Sequence, residues 1–194
     1  SFHCTNYIVD HGAPGKMAES SSRTLVCSVL YLDIVEYSQR AVPEQMRLKE
    51  QLVVAVTEAI AGVAAADRII RDTGGGVVLS FLGDPEDALS VGVGVCSALA
   101  GPQTSAGSRA WVRAGINLGP VGLAKDMNGQ TSVIGDGVKV AQYIMIFAEP
   151  GQILVSRAYY DVMVQLSKGY AEVFSYQGER TDHNVREHRV YAVN

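Results

Sequence analysis

Residues 23–34 read RTLVCSVLYLDI, an apolar and β-branched run that closes on Asp33 and Ile34. Such a run predicts a central β-strand. The segment from 43 to 63 follows it and carries apolar residues at helical spacing, with Pro43 placed for a first helical turn. A buried strand followed by an amphipathic helix is typical of a sheet with helices packed against it.

Strands and helices continue to alternate along the rest of the chain. Predicted strands at 68–71 and 77–81 flank Thr73-Gly74-Gly75-Gly76, which indicates a hairpin. Further strands are predicted at 111–118, 152–155, 172–176 and 189–193, a turn at 128–129, and helices from 84, at 137–148 and from 157. There is no internal repeat. We therefore predict one α/β domain, a mixed sheet with helices packed on it.

Composition excludes several classes of protein. The chain has 194 residues, of which 47% are hydrophobic and 19% charged, as expected for one globular domain with a sizeable core. Its net charge is −4, and no cluster of basic residues is interleaved with aromatics, so nucleic acid and anionic membrane are poor partners. No run approaches the ~20 apolar residues of a membrane span. The longest one, 88–100, is predicted to be a buried helix.

The cysteines and the first residues bear on the location of the protein. Cys4, Cys27 and Cys96 form an odd set without paired spacing, which favours reduced thiols and a cytoplasmic location. None of the four histidines has metal-ligand spacing with a cysteine, which argues against a zinc site. Residues 1–16 lack the features of a signal peptide, and Met17-Ala18 looks like a natural start. We expect residues 1–22 to be a leader or linker, native or added, and residues 23–194 to form the domain.

Six segments resemble, in family order, the catalytic domain of the class III adenylate/guanylate cyclases. They are LYLDIVEYS (30–38), TGGGVVLSF (73–81), DPEDAL (84–89), VRAGINLGPV (112–121), VIGDGVKVAQYI (133–144) and FAEPGQILVS (147–156). The resemblance implies a ferredoxin-like mixed sheet and identifies residues 23–194 as a nucleotide-cyclase homology domain.

The resemblance also implies a chemistry. In this family two cations, Mg²⁺ or Mn²⁺, are held by two carboxylates and polarise the attacking and leaving oxygens. An arginine neutralises charge on the phosphate, an asparagine orients the ribose, and a Lys/Asp pair reads adenine. The site forms between two subunits, one of which supplies the metal carboxylates while the other supplies the remaining groups.

Carried over residue by residue, the resemblance is uneven on the metal side. Asp33 matches the first metal carboxylate, and the backbone carbonyl of Ile34 matches the ligand beside it. Gly75 stands where the second carboxylate belongs. Because Mg²⁺ loses its water reluctantly, one carboxylate and a carbonyl would hold Mg²⁺ or Mn²⁺ weakly if at all.

The other half of the site departs further from the family. Arg71 falls at the lysine of the base-reading pair, and Ser132 falls at its aspartate partner. Lys139 replaces the ribose asparagine, and Tyr143 replaces the arginine of the transition state. Lys139 and Tyr143 are four residues apart on a predicted helix, so their side chains share one face. This face is either exposed to solvent or part of an interface. Alternatively, Lys139 contacts a phosphate there.

Three residues or runs near these positions allow competing interpretations. Asp72 could replace the missing carboxylate, although on an extended strand it points to the other face. Gly74-Gly75-Gly76 could bind phosphate, but it lacks the ending of a P-loop, and a tight hairpin explains it better. Asp136 fits a structural position just before a helix better than a catalytic role.

Both halves of the site are therefore damaged, and pairing with a homologue would not complete it. We predict a pseudocyclase that dimerises as a homodimer or heterodimer and acts in regulation or ligand sensing. One alternative is an active nucleotidyl cyclase with a divergent site, which would use Asp33 and Asp72. Another is a sensor that holds a nucleotide or other anion through Arg71 and Lys139 without chemistry.

Overall fold

The computed structural model describes residues 23–100 and 111–194, together with the backbone of residues 103–104 and 107–108. Its helices are α1 (Val42–Ala59), α2 (Glu86–Ala98), α3 (Asp136–Ile146), α4 (Arg157–Leu166) and α5 (Tyr170–Val173). Its strands are β1 (Arg23–Ile34), β2 (Arg68–Asp72), β3 (Gly76–Phe81), β4 (Gln103–Thr104), β5 (Gly107–Ser108), β6 (Val112–Lys125), β7 (Thr131–Ile134), β8 (Ile153–Ser156), β9 (Phe174–Thr181) and β10 (Glu187–Val193). The predicted leader, residues 1–22, lies outside the described residues.

Eight strands form one mixed sheet in the order β2-β3-β1-β6-β8-β10-β9, with β7 paired to β6. β6 and β8 are parallel, and α3 lies in the connection between them. The other pairs in this sheet are antiparallel. β1 is central and paired on both sides, as its apolar sequence predicts. The predicted mixed sheet with helices packed on it is confirmed.

The two faces of the sheet carry different helices. Leu30, Leu32 and Ile34 of β1 join a core cluster that includes residues of α1, α2 and α4. Val29 and Tyr31 point to the opposite face, where they pack in a second cluster against α3. Because side chains alternate along a strand, Asp33 belongs to the α3 face.

α3 lies unusually close to β6 at Gly115. A Cβ atom at this position would overlap the backbone N of Met145 and would lie 2.5 Å from the carbonyl O of Ala141. The glycine of the VRAGINLGPV segment is therefore required by packing, because any side chain would push the helix backbone off the sheet.

Three element boundaries differ from the predicted ones. α1 ends at Ala59 rather than at 63, ahead of Gly62. The strand expected at 172–176 is wrong at its start, because residues Tyr170–Val173 form a helical turn and β9 begins at Phe174. In that turn the Tyr170 hydroxyl donates to Glu86 Oε1 at 2.6 Å, which holds it against α2. β6 was predicted to end at 118 but continues through Pro120. The proline is tolerated because β6 is paired at this position only with β1 and has no strand on its other side.

Cys27 is buried and Cys96 is partly buried, and both are free thiols, as predicted. Burial raises the pKa of Cys27 to about 11 and that of Cys96 to about 12. Cys4 lies outside the described residues. Among the helices of the described residues, none is long and apolar enough to cross a membrane.

Candidate functional site

Asp33 is ion-paired with an arginine of the neighbouring strand. Arg113 is its register partner on β6. The Asp33 Oδ2 atom accepts from Arg113 Nη2 at 3.1 Å and from Nε at 3.3 Å. Arg113 Nη1 also donates to the carbonyl O of Ile146, at the C-terminal end of α3, at 3.2 Å. The carboxylate predicted to bind metal therefore already has a cation within the chain.

The environment of Asp33 is poorly hydrated. Its side chain is 26% exposed. Burial raises the pKa of this carboxyl, and the hydrogen bonds and charge of Arg113 oppose that rise without cancelling it. A metal ion would have to displace Arg113 and would gain few other ligands in exchange.

Gly75 lies beside Asp33 and Ile34. The backbone N–H of Ile34 donates to the Gly75 carbonyl at 2.9 Å, and Asp33 is opposite Gly76 in the β1–β3 ladder. A Cβ atom on Gly75 would lie 3.1 Å from Tyr37 Cδ1. A carboxylate side chain at this position would therefore need the Tyr37 ring to move by a few tenths of an ångström.

Asp72 belongs to the other face of the sheet. In the strand ladders Asp72 is opposite Val77 of β3, and Val77 is in turn opposite Leu32 of β1. Leu32 belongs to the core cluster that packs against α1. Its Oδ1 atom accepts from Lys49 Nζ of α1 at 2.9 Å and from the Gly74 N–H at 2.6 Å. Burial raises the pKa of Asp72, but these hydrogen bonds outweigh it and leave the pKa below its usual value. Asp72 is thus directed away from Asp33.

No replacement metal site is found nearby. Within residues 23–100 and 111–194, no group of three or more His, Cys, Asp or Glu side chains is placed to hold a metal ion.

The two substituted positions on α3 have different surroundings. Lys139 is exposed, and its side chain has no hydrogen-bond partner among the described residues. Tyr143 is half-buried, and its hydroxyl accepts from Asn184 Nδ2 at 2.7 Å and contacts His183 Nε2 at 3.1 Å. The turn between β9 and β10 therefore holds Tyr143, while Lys139 is open to solvent.

That turn is organised by a buried carboxylate. Asp182 accepts from the backbone N–H groups of Asn184 at 2.8 Å and Arg186 at 3.1 Å. Its other oxygen lies 2.8 Å from His188 Nε2. Val185 between them has a left-handed φ of 62°, which is unfavourable for a β-branched residue. The Asp182 hydrogen bonds stabilise this strained turn.

Acid should weaken the turn that holds Tyr143. The hydrogen bond from His188 holds the pKa of Asp182 below its usual value, burial opposes this, and the two N–H groups reinforce it. A carboxyl group whose pKa is lower in the folded than in the unfolded state stabilises the fold at pH values above its unfolded-state pKa. This contribution is lost as the pH falls through the folded-state pKa. Denaturant unfolding should show Asp182→Asn less stable than the parent at pH 6, with a smaller deficit at pH 3. An equal deficit at both pH values would contradict this.

Arg71 and Ser132 are not joined. Arg71 is exposed on β2 opposite Val78, and Ser132 is on β7 opposite Ala124. β2 and β7 contact each other, but among the described residues no hydrogen bond links this pair.

Asp136 is the first residue of α3 rather than the residue before it, since Gly135 holds the N-cap position. Both Asp136 oxygens accept from Arg186 Nη1 at 2.9 Å.

Sequence reasoning gave no role to Arg113, Asp182 or His188. Arg113 lay within a recognised segment, and a charged residue in an otherwise apolar strand was the signal available for it. Asp182 and His188 gave no local signal, because their link to Tyr143 spans about forty residues of chain.

The sequence of the chain is similar to that of a putative adenylate cyclase. No protein-family model matches it. A curated protein of Rhizobium meliloti (strain 1021), named Putative adenylate cyclase 3, is 31% identical over 146 residues, which cover 72% of this chain. The chain spans 24% of the length of that relative.

Solved structures with the same fold are cyclase domains. The catalytic core of a rhodopsin-guanylyl cyclase with converted specificity, in complex with ATPαS, has a TM-score of 0.70 at 16% identity, covering 90% of this chain and 98% of that one. An adenylate/guanylate cyclase/hydrolase from Silicibacter pomeroyi has a TM-score of 0.69 at 24% sequence identity, and the match covers 89% of this chain and 98% of that one. The adenylyl cyclase CyaB from P. aeruginosa has a TM-score of 0.68 at 16% sequence identity, and the match covers 90% of this chain and 96% of that one.

Proposed function

Because this chain belongs to a cyclase-like family with the class III catalytic-domain fold, we propose that it is a pseudocyclase, a catalytically impaired domain that acts as a regulatory module in nucleotide signalling. Residues 23–194 form this module.

The observation that carries the proposal is the state of the metal half-site. Two-metal catalysis requires two carboxylates facing the same cations. Here Asp33 is engaged by Arg113, Gly75 offers no side chain, and Asp72 is bound to Lys49 on the opposite face. A carboxylate neutralised by a guanidinium attracts a divalent cation far less than a free carboxylate pair does. The residues present do not fit a pair of Mg²⁺ or Mn²⁺ ions, so a single ion would bind weakly if at all.

The second half-site supports the same proposal. A tyrosine at 143 supplies no permanent positive charge, and its hydroxyl is occupied by the β9–β10 turn. Lys139 offers a cation where the family uses a neutral amide. A second copy of this chain would lack the same side chains in both half-sites. An intact cyclase domain as partner would supply one functional half of each shared site, and this chain would still supply a defective other half.

The regulatory role would rest on pairing and on a retained ligand. Among the solved structures with this fold, a guanylyl cyclase domain from the aquatic fungus Blastocladiella emersonii was solved as a non-canonical dimer, and a guanylate cyclase domain from Catenaria anguillulae was solved with GTP. We propose that this chain pairs with a second copy or a related domain through the cyclase interface. Lys139 and Arg71 are exposed cations that could hold a nucleotide without chemistry. The free thiols of Cys27, which is buried, and of Cys96, which is partly buried, support a cytoplasmic location.

Turnover tests the proposal. Purified protein with Mn²⁺ and each of the four nucleoside triphosphates should form no cyclic nucleotide above a no-protein blank. The matched control is Asp33→Asn, which removes the last carboxylate of the metal half-site. Product at ordinary enzymatic rates that Asp33→Asn abolishes would instead establish the active cyclase with a divergent site. Product that persists in Asp33→Asn would point to a contaminating enzyme.

A further inference from the structure

The sheet has a gap beyond the end of β8. β8 ends at Ser156, while its neighbours β6 and β10 continue past it. β8 pairs with 114–116 of β6 and β7 pairs with 122–125, so residues 117–121 have a strand on one side only. The open side forms a cleft of about 310 Å³, called here the β8 cleft, lined by residues of β6, the β8–α4 junction, β10 and the start of α3. Its volume is within the range of small-molecule sites.

The floor of the β8 cleft is polar and buried. Asn117, Ser156 and His188 are 3%, 5% and 7% exposed. Ser156 Oγ donates to Asn117 Oδ1 at 2.7 Å, which fixes both side chains. His188 uses Nε2 toward Asp182, and its Nδ1 atom has no partner among the described residues. Asn117 Nδ2 donates to the Gly137 carbonyl at 3.0 Å, and Ser156 Oγ accepts from the Tyr159 N–H at 3.2 Å. These two side chains therefore shape the floor of the cleft and are already hydrogen-bonded within the chain.

The rim of the β8 cleft carries three arginines, and each of them is ion-paired with a carboxylate. Arg157, Arg186 and Arg189 line it against two carboxylates, Asp136 and Glu187. Each guanidinium is steadied by a carboxylate and keeps unused N–H groups. In the described residues Arg186 bonds through Nη1 alone and Arg189 through Nε alone. A half-exposed, preoriented guanidinium of this kind suits bidentate recognition of phosphate.

Two helices begin at the same cleft. α3 starts at Asp136 and α4 starts at Arg157, and both residues line it. The first N–H groups of a helix have no partner inside the helix and carry partial positive charge. At α4 the Ser156 hydroxyl already accepts the Tyr159 N–H. The remaining N–H groups at the two helix starts add to the arginines in attracting an anion.

We propose that the β8 cleft binds the phosphate group of a small phosphorylated molecule. The site is separate from the cyclase positions, since none of Asp33, Ile34, Arg71, Gly75, Ser132, Lys139 and Tyr143 lines it. Bound phosphate would contact Arg186, the last residue of the turn that holds Tyr143.

Calorimetry at constant ionic strength tests the proposal, with inorganic phosphate and AMP as separate probes. At least one probe should bind saturably, and Arg157→Gln/Arg186→Gln should weaken it by about tenfold or more. The control Arg47→Gln/Arg180→Gln removes the same charge outside the cleft and should bind like the parent. Binding of both probes would identify phosphate as sufficient, and binding of AMP alone would identify a nucleotide source.

Three results would overturn the proposal. The first is no saturable binding of either probe, and the second is equal affinity in Arg157→Gln/Arg186→Gln, whose native fold circular dichroism would verify. The third is loss of AMP binding in Lys139→Ala, which would place AMP at the cyclase positions. None of these depends on whether the domain turns over nucleoside triphosphates.

Discussion

The variant Gly75→Asp/Lys139→Asn/Tyr143→Arg should form cyclic nucleotide with Mn²⁺ at least about a thousandfold faster than the parent chain, because an arginine on the transferring phosphate alone is worth about 10³–10⁵ in rate. The backbone for this site is in place: Gly75 lies against Ile34, and positions 139 and 143 share a face of α3. Tyr37 has to shift only slightly to admit a carboxylate side chain in place of Gly75. Cyclic nucleotide measured by chromatography is the readout.

Two partial variants give the matched controls. Gly75→Asp alone and Lys139→Asn/Tyr143→Arg alone should each remain inactive, because each repairs one half-site. If the site is shared between subunits, mixing the two partial variants should restore activity. An inactive triple variant that still folds would show that the scaffold has also lost the geometry, and would contradict the view that only side chains are missing.

Gly115→Ala should destabilise the domain by about 3 kcal/mol or more, since overpacking against backbone cannot be relieved by a side-chain rotation. The new methyl group would meet backbone atoms of Ala141 and Met145 in α3. For a chain of this size, such a loss lowers Tm by roughly 6–12 °C. Thermal unfolding followed by circular dichroism measures it.

The matched control is the same substitution at an exposed glycine within a helix. Gly94 lies in the exposed middle of α2, and its Cβ would meet Ala59 Cβ at 3.4 Å. Gly94→Ala should raise stability by about 0.5–1 kcal/mol, because alanine restricts the unfolded chain. A Gly115→Ala protein as stable as the parent would mean that α3 does not need its close approach to β6.

Local patterns predicted the framework well. The apolar run of β1 spans Arg23–Ile34 as expected, and the glycine-rich turn forms the β2–β3 hairpin. The start of β9 was predicted wrongly because the Tyr170 contact with Glu86, far away in the chain, fixes a helical turn there. Alternation and turn residues encode local conformation, whereas this contact depends on how α2 packs.

The loss of the family's side chains at Gly75, Ser132, Lys139 and Tyr143 could be read from the sequence once the resemblance was recognised. What surrounds these positions could not. The pairing of Asp33 with Arg113 follows from the register of β1 on β6 across eighty residues. The contact of Tyr143 with the β9–β10 turn and the gap beyond β8 likewise require the assembled sheet.

The sequence by itself thus determined the order of the main strands and helices, without β7 and α5, together with the central position of β1 and the identity of each residue at a family position. These features arise from side-chain periodicity and backbone preferences over a few residues. Only the tertiary structure decided that Asp33 is neutralised, that Asp72 faces α1, and that three arginines converge beyond β8. Charges and hydrogen bonds act over a few ångströms of space, and chain folding alone sets which distant residues come within that range.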